Sequence, residues 1–166
     1  MNISYRKPSL EELNEIYNIY ETAIKNMESN NIFQWDSVYP NKAVLTDDIL
    51  KGEMHIGFLD DEIAVAYVLN HESDKQYCNG NWKYPRASYR IVHRLCVNPE
   101  FQKMGIGTLV MQHISKEVKE TGIESIRLDC FTNNPQAIQM YKKLDYNIVG
   151  YANWRKGKFY LMELKL

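Results

Sequence analysis

The sequence predicts a mixed α/β domain whose central β-sheet has about seven strands. Segments with apolar residues at helical spacing alternate with short runs rich in β-branched and aromatic residues. Turn-forming pairs such as Asp60-Asp61 and Asn98-Pro99 separate these segments. The chain has 166 residues, of which 45% are hydrophobic. Residues 1–166 are therefore predicted to fold as a single domain around one core.

The first half of the chain is predicted to contain three strands and two helices. The run ISYRK is a predicted strand, and Ser9 with Glu12 has the spacing of a capping box at the start of a helix. A second helix is predicted for residues 43–50. The runs MHIGFL and EIAVAYVL then form a predicted hairpin. The apolar positions at helical spacing in the first helix are Leu10, Leu13, Ile16, Tyr17, Tyr20 and Ile24.

The second half is predicted to contain a long loop, four strands and two helices. The loop covers residues 70–86, and the runs SYRIVHRLCV and SIRLDCF are predicted strands. A helix from Gly105 to Thr121 lies between these strands, and another begins with Asn134 as N-cap and Pro135 at its first position. The runs YNIVGYAN and KFYLMEL complete the sheet. One face of the helix that begins at Gly105 holds Ile106, Leu109, Val110, Ile114 and Val118.

The composition argues against a nucleic-acid-binding or membrane-spanning protein. The 20 lysines and arginines are balanced by 21 aspartates and glutamates, and the sequence has no block of basic residues. No apolar run approaches the roughly 18 residues of a membrane span, and the N-terminus has no apolar signal core. We therefore expect a cytoplasmic protein without nucleic-acid or membrane partners.

The three cysteines predict neither a metal centre nor a disulfide framework. Cys78, Cys96 and Cys130 are widely spaced and form no CxxC pair, so no metal site is expected. Cys96 and Cys130 lie in apolar runs and are predicted to be buried as small hydrophobic residues. Cys78 lies in a polar stretch and is predicted to be exposed.

The stretch FQKMGIGTLV places Gly105 and Gly107 at the start of a predicted helix. Each glycine lowers helix propensity by about 1 kcal/mol relative to alanine. The N–H groups at a helix N-terminus attract anions, and glycines let a phosphate approach the backbone closely. The run has neither the GK[ST] ending of a P-loop nor the third glycine of GxGxxG. A purely structural turn and a different type of nucleotide site remain alternatives.

Two motifs in this order resemble the GCN5-related N-acetyltransferase (GNAT) superfamily, and its small bacterial members in particular. They are VNPEFQKMGIG, which follows a predicted strand, and NPQAIQMY, which opens a helix. The resemblance implies a GNAT-type fold with about four helices and a sheet splayed between its fourth and fifth strands. It also implies N-acetyltransferase activity with acetyl-CoA as cofactor. One departure is Asp145, where the family usually has a glycine in a turn.

The resemblance assigns the cofactor site to two segments. The loop that matches Gln102 to Thr108 binds the CoA pyrophosphate in this family, and the fourth strand bonds the pantetheine arm through its backbone. A backbone N–H near Cys96 or Val97 is suited to stabilise an oxyanion. Asn134 matches a position that contacts CoA, although it also fits a simple N-cap. The implied cofactor-binding residues are Leu95, Cys96, Val97, Gln102, Lys103, Met104, Gly105, Ile106, Gly107, Thr108 and Asn134.

Two residues are the predicted catalytic groups. Tyr141 matches the family tyrosine that protonates the departing thiolate, although its spacing from Ala137 and Leu144 also fits a core tyrosine. His93 is a candidate general base, because strand alternation places it on the side of Leu95 and an imidazole titrates near neutral pH. A hydrogen-bonded histidine that supports the strand is the alternative.

The acceptor is less specified than the cofactor. We expect direct attack by the primary amine of a small molecule, with a peptide α-amine or a lysine as the alternative acceptor. A CoA-binding module without catalysis is a further alternative. Phe33, Trp35 and Trp82 are candidates for an acceptor-binding wall, although aromatic residues in such loops also cap a core. A homodimer is possible from the resemblance.

Overall fold

The computed structural model describes residues 2–166 and confirms the predicted mixed α/β fold. In this part of the chain four α-helices accompany seven strands. The helices are α1 (Leu13–Ser29), α2 (Lys42–Leu50), α3 (Ile106–Glu120) and α4 (Pro135–Lys143). The strands are β1 (Ser4–Arg6), β2 (Met54–Leu59), β3 (Glu62–Asn70), β4 (Tyr89–Val97), β5 (Ser125–Phe131), β6 (Asn147–Trp154) and β7 (Gly157–Lys165).

The strands are ordered β1-β2-β3-β4-β5-β7-β6 in one sheet. Strands β4 and β5 pair in parallel, with a register from Tyr89↔Ser125 to Val92↔Leu128. The pairs β1–β2, β2–β3, β5–β7 and β6–β7 are antiparallel. The last five residues of β4 lie beyond the register that pairs it with β5, as the predicted splay between the fourth and fifth strands requires.

The chain divides into two compact units. The first contains the chain up to Leu69 together with Arg94–Gly107, and the second contains Asn70–His93 and Thr108–Leu166. Strand β4 and helix α3 therefore each contribute residues to both units. That residues 1–166 act as one domain stays a prediction.

The core of the first unit forms where the apolar face of α1 packs on α2, β2 and β3. Ile16, Tyr20 and Leu45 are completely buried in this cluster, which also contains Cys96. The Ser9 backbone N–H donates to the Glu12 carboxylate over 2.8 Å, as the predicted capping box requires. The capped residues Leu10–Glu12 form a 3-10 turn, so α1 itself begins at Leu13.

The second unit buries the periodic face of α3 and the central residues of β5. Val110 and Ile114 are completely buried, as the helical spacing predicts. The prediction that Leu109 shares this face is wrong, because its side chain is 37% exposed whereas Met111 is buried. Around the helix axis Leu109 lies about 120° from the centre of the stripe formed by Ile106, Val110, Ile114 and Val118, whereas Met111 lies about 80° from it.

Two turns have the backbone conformations that their sequences require. Asp60 and Asp61 have φ angles of 51° and 65°, and this pair of left-handed residues fits a type I′ turn between β2 and β3. Asp145, which stands where the family usually has glycine, has a φ of 63°. The aspartate therefore adopts the left-handed conformation that glycine would provide more easily.

A buried ion pair links β4 to α2 within the first unit. The Arg94 guanidinium donates to both carboxylate oxygens of Asp48, at 2.9 and 2.5 Å. It also donates to the Tyr39 hydroxyl at 2.7 Å, and the Tyr20 hydroxyl donates to the Arg94 carbonyl at 2.6 Å. Arg94 itself has a φ of 50°, so these bonds hold a left-handed residue inside a strand.

We predict that Asp48→Asn destabilises the protein by about 3–5 kcal/mol, because the buried Arg94 charge loses its counter-charge. The measurement is the free energy of unfolding in urea. Asp47→Asn is the matched control, since Asp47 is exposed and pairs with Lys51 on the surface of the same helix. The control is expected to change stability by less than about 0.5 kcal/mol. Equal losses in the two variants would contradict a special contribution of the buried pair.

Candidate active site

The loop before α3 has a backbone that fits an anion. Lys103 and Gly105 are left-handed, with φ angles of 65° and 80°, whereas α3 begins at Ile106. Successive N–H groups in such a turn can point towards one bound anion. A Cβ atom on Gly105 would meet no atom within 4 Å. The glycine is therefore required by its φ angle and not by close packing, and the exposed backbone fits a phosphate.

Gln102 ties this loop to its neighbours in the first unit. Its side-chain oxygen accepts a hydrogen bond from Asn26 on α1 at 2.8 Å, and its amide donates to the Val97 carbonyl at 3.4 Å. Lys103 and Met104 are exposed, and Thr108 is half-buried. Gln102 thus fixes the position of the loop, whereas the following residues present their backbone to solvent.

The end of β4 holds the residues predicted to bind the pantetheine arm through their backbone. Leu95 and Val97 are half-buried, whereas Cys96 is buried in the core of the first unit. Burial raises the pKa of the Cys96 thiol to about 12. Such a thiol is a poor nucleophile at neutral pH. The prediction that His93 and Leu95 share one side of β4 assumed regular strand alternation. The positive φ of Arg94, which lies between them, interrupts that alternation.

A separate group of polar residues lies in the second unit, where the β4–β5 pairing ends. The register ends at Val92↔Leu128, so His93 and Asp129 occupy the next position on each strand. Partners in a parallel register point to the same face of the sheet. Arg127, two residues before Asp129 on β5, and Tyr89, four residues before His93 on β4, show this shared face. The Arg127 guanidinium lies 4.0 Å from the Tyr89 ring. Alternation along each strand therefore places His93 and Asp129 on one face.

His93 is held by the last residue of β3 and by the segment that follows this strand. Its Nε2 lies 3.1 Å from the Asn70 side-chain oxygen and 3.1 Å from the Glu72 carbonyl. The Asn70 oxygen also accepts the Glu72 backbone N–H at 3.1 Å, which fixes the orientation of that amide. Because both partners are acceptors, Nε2 must carry a proton. Only Nδ1 of His93 is suited to accept a proton from a substrate.

Asp129 is a candidate site residue that the sequence prediction missed. One of its carboxylate oxygens accepts a hydrogen bond from the Tyr77 hydroxyl at 2.8 Å. Its side chain is half-buried, whereas its neighbours Leu128 and Cys130 are buried. The available signal was the single acidic residue within the apolar run SIRLDCF, because strands seldom carry aspartate without a specific reason.

Tyr141 is buried on α4 near the same end of β5. Its ring packs edge-on against Tyr146, with 5.6 Å between the ring centroids. Burial raises the pKa of Tyr141 well above 10, and nearby Cys130, Tyr146 and Asp129 raise it further. The phenol is therefore protonated at neutral pH, which is the state that a proton donor requires.

Asn134 is the N-cap of α4. Its side-chain oxygen accepts the Ala137 backbone N–H at 3.1 Å, and Pro135 occupies the first helical position. Both features were predicted from the sequence, and they explain the residue without a ligand. A contact between Asn134 and CoA stays a prediction.

The three aromatic candidates for an acceptor wall lie in different environments. Trp35 is buried in the first unit, with its ring 5.6 Å from that of Tyr20. Phe33 is 51% exposed. Trp82 belongs to the second unit, where it donates to the Tyr77 carbonyl and lies 4.2 Å from the Arg127 guanidinium. The contacts of Trp35 and Trp82 are those of core residues, and the acceptor role of all three stays a prediction.

Residues 2–166 contain neither a candidate metal site nor a candidate membrane-spanning helix. No group of three or more His, Cys, Asp or Glu side chains in this range is arranged to hold a metal ion. None of the helices in the described chain is both long enough and apolar enough to cross a membrane.

Comparison with known families gives a match over most of the chain. The model of the acetyltransferase (GNAT) family matches residues 10–146. The match includes both motifs that the sequence analysis identified, and it covers the candidate site residues His93, Gly105, Asp129, Asn134 and Tyr141.

Individual relatives are more distant. The ribosomal protein bS18-alanine N-acetyltransferase of Salmonella typhimurium is 30% identical over 53 residues, which are 32% of this chain and 36% of that protein. This chain thus matches little more than a third of that relative's length.

Solved structures match over nearly the whole chain. A GNAT-family acetyltransferase from Streptococcus agalactiae has a TM-score of 0.87 at 20% identity, and the match covers 99% of this chain and 95% of that chain. The PaiA N-acetyltransferase from Thermoplasma acidophilum, solved in complex with coenzyme A, has a TM-score of 0.70 at 19% identity, with complete coverage of both chains. At such identities the likeness shows a shared fold.

Proposed function

The chain belongs to the acetyltransferase (GNAT) family, and from this premise we propose that it transfers the acetyl group of acetyl-CoA to a primary amine. The observation that carries the proposal is the end of the β4–β5 pairing at Val92↔Leu128. His93 is the first residue of β4 past this register, and an amide-bearing arm can bond a strand edge as an added strand would. His93 and Asp129 each lie one residue beyond the last register pair.

The loop from Gln102 to Thr108 is the proposed binding site for the pyrophosphate of acetyl-CoA. Its support is the left-handed backbone at Lys103 and Gly105, followed directly by the N-terminus of α3. Backbone N–H groups and the helix dipole both favour a diphosphate there. The bound cofactor supplies an acetyl thioester, and the chain's own residues supply the proton transfers.

The first proton transfer activates the amine. An alkylamine with a pKa near 10.4 needs about 4.6 kcal/mol to lose its proton at pH 7, whereas an α-amine with a pKa of 7.7–8.0 needs about 1–1.4 kcal/mol. We propose that the Asp129 carboxylate accepts this proton from the amine, directly or through water. Nδ1 of His93 is the alternative acceptor, because Nε2 donates to Asn70 and Glu72.

The second proton transfer completes the reaction. The amine nitrogen forms a bond to the acetyl carbon, the carbon–sulfur bond breaks, and the thiolate of CoA leaves. Tyr141 donates the proton that the thiolate takes up, and the second proton of the amine nitrogen, which amide formation releases, passes through water to the resulting Tyr141 phenolate. Its burial keeps the phenol protonated until then. A route through an acetylated cysteine is disfavoured, because burial raises the pKa of both the Cys96 and Cys130 thiols to about 12.

The acceptor is proposed to be a small-molecule primary amine. A peptide α-amine is the second candidate, supported by the relative that is named for acetylating an alanine of a ribosomal protein. A lysine side chain, a CoA-binding role without catalysis, a homodimer and a cytoplasmic location all stay predictions from the sequence.

We predict that acetyl-CoA at 100 times its dissociation constant stabilises the protein by about 2.7 kcal/mol. For a chain of this size the melting temperature should rise by roughly 5–10 °C. The measurement is a thermal melt with acetyl-CoA, with ATP and NAD as controls. No shift at millimolar acetyl-CoA, or an equal shift with ATP, would contradict the proposed cofactor site.

We predict that Tyr141→Phe lowers kcat by about 100-fold, the lower end of what a general acid contributes. The melting shift with acetyl-CoA should be retained, because the phenol acts on the leaving group. The measurement is thiol release at saturating acetyl-CoA and amine. Tyr146→Phe removes the hydroxyl of the neighbouring buried tyrosine and serves as the matched control. Unchanged turnover in Tyr141→Phe would remove this residue from the mechanism.

We predict that Asp129→Asn lowers kcat by about 100-fold or more, whereas His93→Gln lowers it by less than about tenfold. A general base contributes 100-fold or more, while His93 is already engaged as a donor through Nε2. Steady-state kinetics with a panel of small primary amines and an N-terminal alanine peptide will distinguish the two residues. The reverse order of effects would assign the base to His93.

A further inference from the structure

Residues 71–88 form the β3–β4 loop, which contains Tyr77. The hydroxyl of this tyrosine contacts Asp129, the candidate base. The loop includes a short 3-10 helix, Lys75–Asn79, at whose centre Tyr77 is 5% exposed. The Tyr77 hydroxyl donates to Asp129 at 2.8 Å. A hydrogen bond from a neutral phenol to a carboxylate is about twice as strong as one between neutral groups. The loop thus contacts Asp129 through a directed bond.

The loop is fixed to the edge strand β6 within the second unit. The Asn153 backbone N–H donates to the Gln76 side-chain oxygen at 2.7 Å, and the Gln76 amide donates back to the Asn153 carbonyl. Gln76 therefore pairs with β6 as a strand residue would. The Asn81 N–H adds a bond to the Val149 carbonyl at 2.7 Å.

Gly150 permits this close approach of the loop to β6. A Cβ atom at that position would lie 2.7 Å from the Asn79 carbonyl oxygen and 3.0 Å from the Gly80 Cα. Both atoms belong to the backbone, so they cannot move aside as a flexible side chain would. The sequence of β6 is therefore adapted to hold the loop that carries Tyr77.

The Tyr77 ring and the Tyr77 carbonyl both have partners within the second unit. It stacks on Trp82 with 5.7 Å between centroids and packs at a tilt against Trp154 at 6.4 Å. Trp82 in turn donates its indole N–H to the Tyr77 carbonyl at 2.9 Å. With its ring and backbone held by these contacts, Tyr77 directs its hydroxyl to Asp129.

We propose that Tyr77 is a positioning residue for acetyl transfer, which orients the Asp129 carboxylate towards the acceptor amine. This inference rests on the proposed function, because it needs Asp129 to act on the amine. The phenol binds one carboxylate oxygen and restricts rotation of the group about its Cβ–Cγ bond. Misplacing a catalytic group by about 1 Å can lower a rate about 100-fold. A fixed carboxylate therefore raises kcat more than it changes acetyl-CoA binding.

The test is a double-mutant cycle with Tyr77→Phe, Asp129→Asn and the variant that carries both changes. Tyr77→Phe keeps the ring contacts and removes only the hydroxyl. We expect it to lower kcat about tenfold in the wild-type background while KM for acetyl-CoA changes less than about twofold. In the Asp129→Asn background the same change should lower kcat by less than about twofold, because Tyr77 acts through Asp129.

The matched control is Tyr151→Phe, which removes an exposed tyrosine hydroxyl from β6. It should leave kcat unchanged in both backgrounds. All variants are assayed at least 15 °C below the lowest melting temperature of the set, so that loss of folded protein does not enter kcat.

The outcomes separate this inference from the proposed function. If the wild type releases no thiol with any amine or peptide of the panel, the proposed function fails. If the wild type is active but the effects of Tyr77→Phe multiply with those of Asp129→Asn, Tyr77 has only a structural role and the inference is overturned. The same conclusion follows if Tyr77→Phe leaves kcat unchanged.

Discussion

The pairing of β4 with β5, and its end at Val92↔Leu128, is the constraint on which the rest of the structure depends. Backbone N–H and C=O groups in a protein interior must find partners, so a strand that leaves its neighbour needs other contacts. The Arg94 carbonyl, for example, accepts the Tyr20 hydroxyl of α1. Such a bond satisfies a backbone group near the point where the β4–β5 register ends.

Each unit also contains a carboxylate that accepts a directed hydrogen bond from a residue distant in the chain. In the first unit Asp48 is bound by the Arg94 guanidinium through two hydrogen bonds, and the pair is nearly inaccessible to solvent. In the second unit Asp129 accepts the neutral Tyr77 hydroxyl and is half-buried. A charged partner neutralises a carboxylate, whereas a neutral phenol orients it without neutralising its charge. The second arrangement supports the proposed role of Asp129 as a base.

Local patterns in the sequence were sufficient for much of the fold. The apolar spacing of α1, the Asn134-Pro135 start of α4 and the Asp60-Asp61 turn all depend on contacts within a few residues. The same holds for Gly105, whose left-handed backbone was indicated by its place before a helix. The position of Leu109 was predicted wrongly, because the width of the buried stripe on α3 depends on what packs against it.

By itself, the sequence determined the class of fold, the order of the elements, the place of the glycine-containing loop before α3 and the place of Tyr141 on α4. Only the tertiary structure decided the partners of the polar groups. Tyr77 and Asp129 are 52 residues apart in the chain, and Asp48 and Arg94 are 46 apart. Whether His93 donates through Nε2 was likewise decided by Asn70 and Glu72, which approach it from another segment. Periodicity and capping are short-range and can be read along the chain, whereas the orientation of a buried polar side chain depends on which distant group completes its hydrogen bonds.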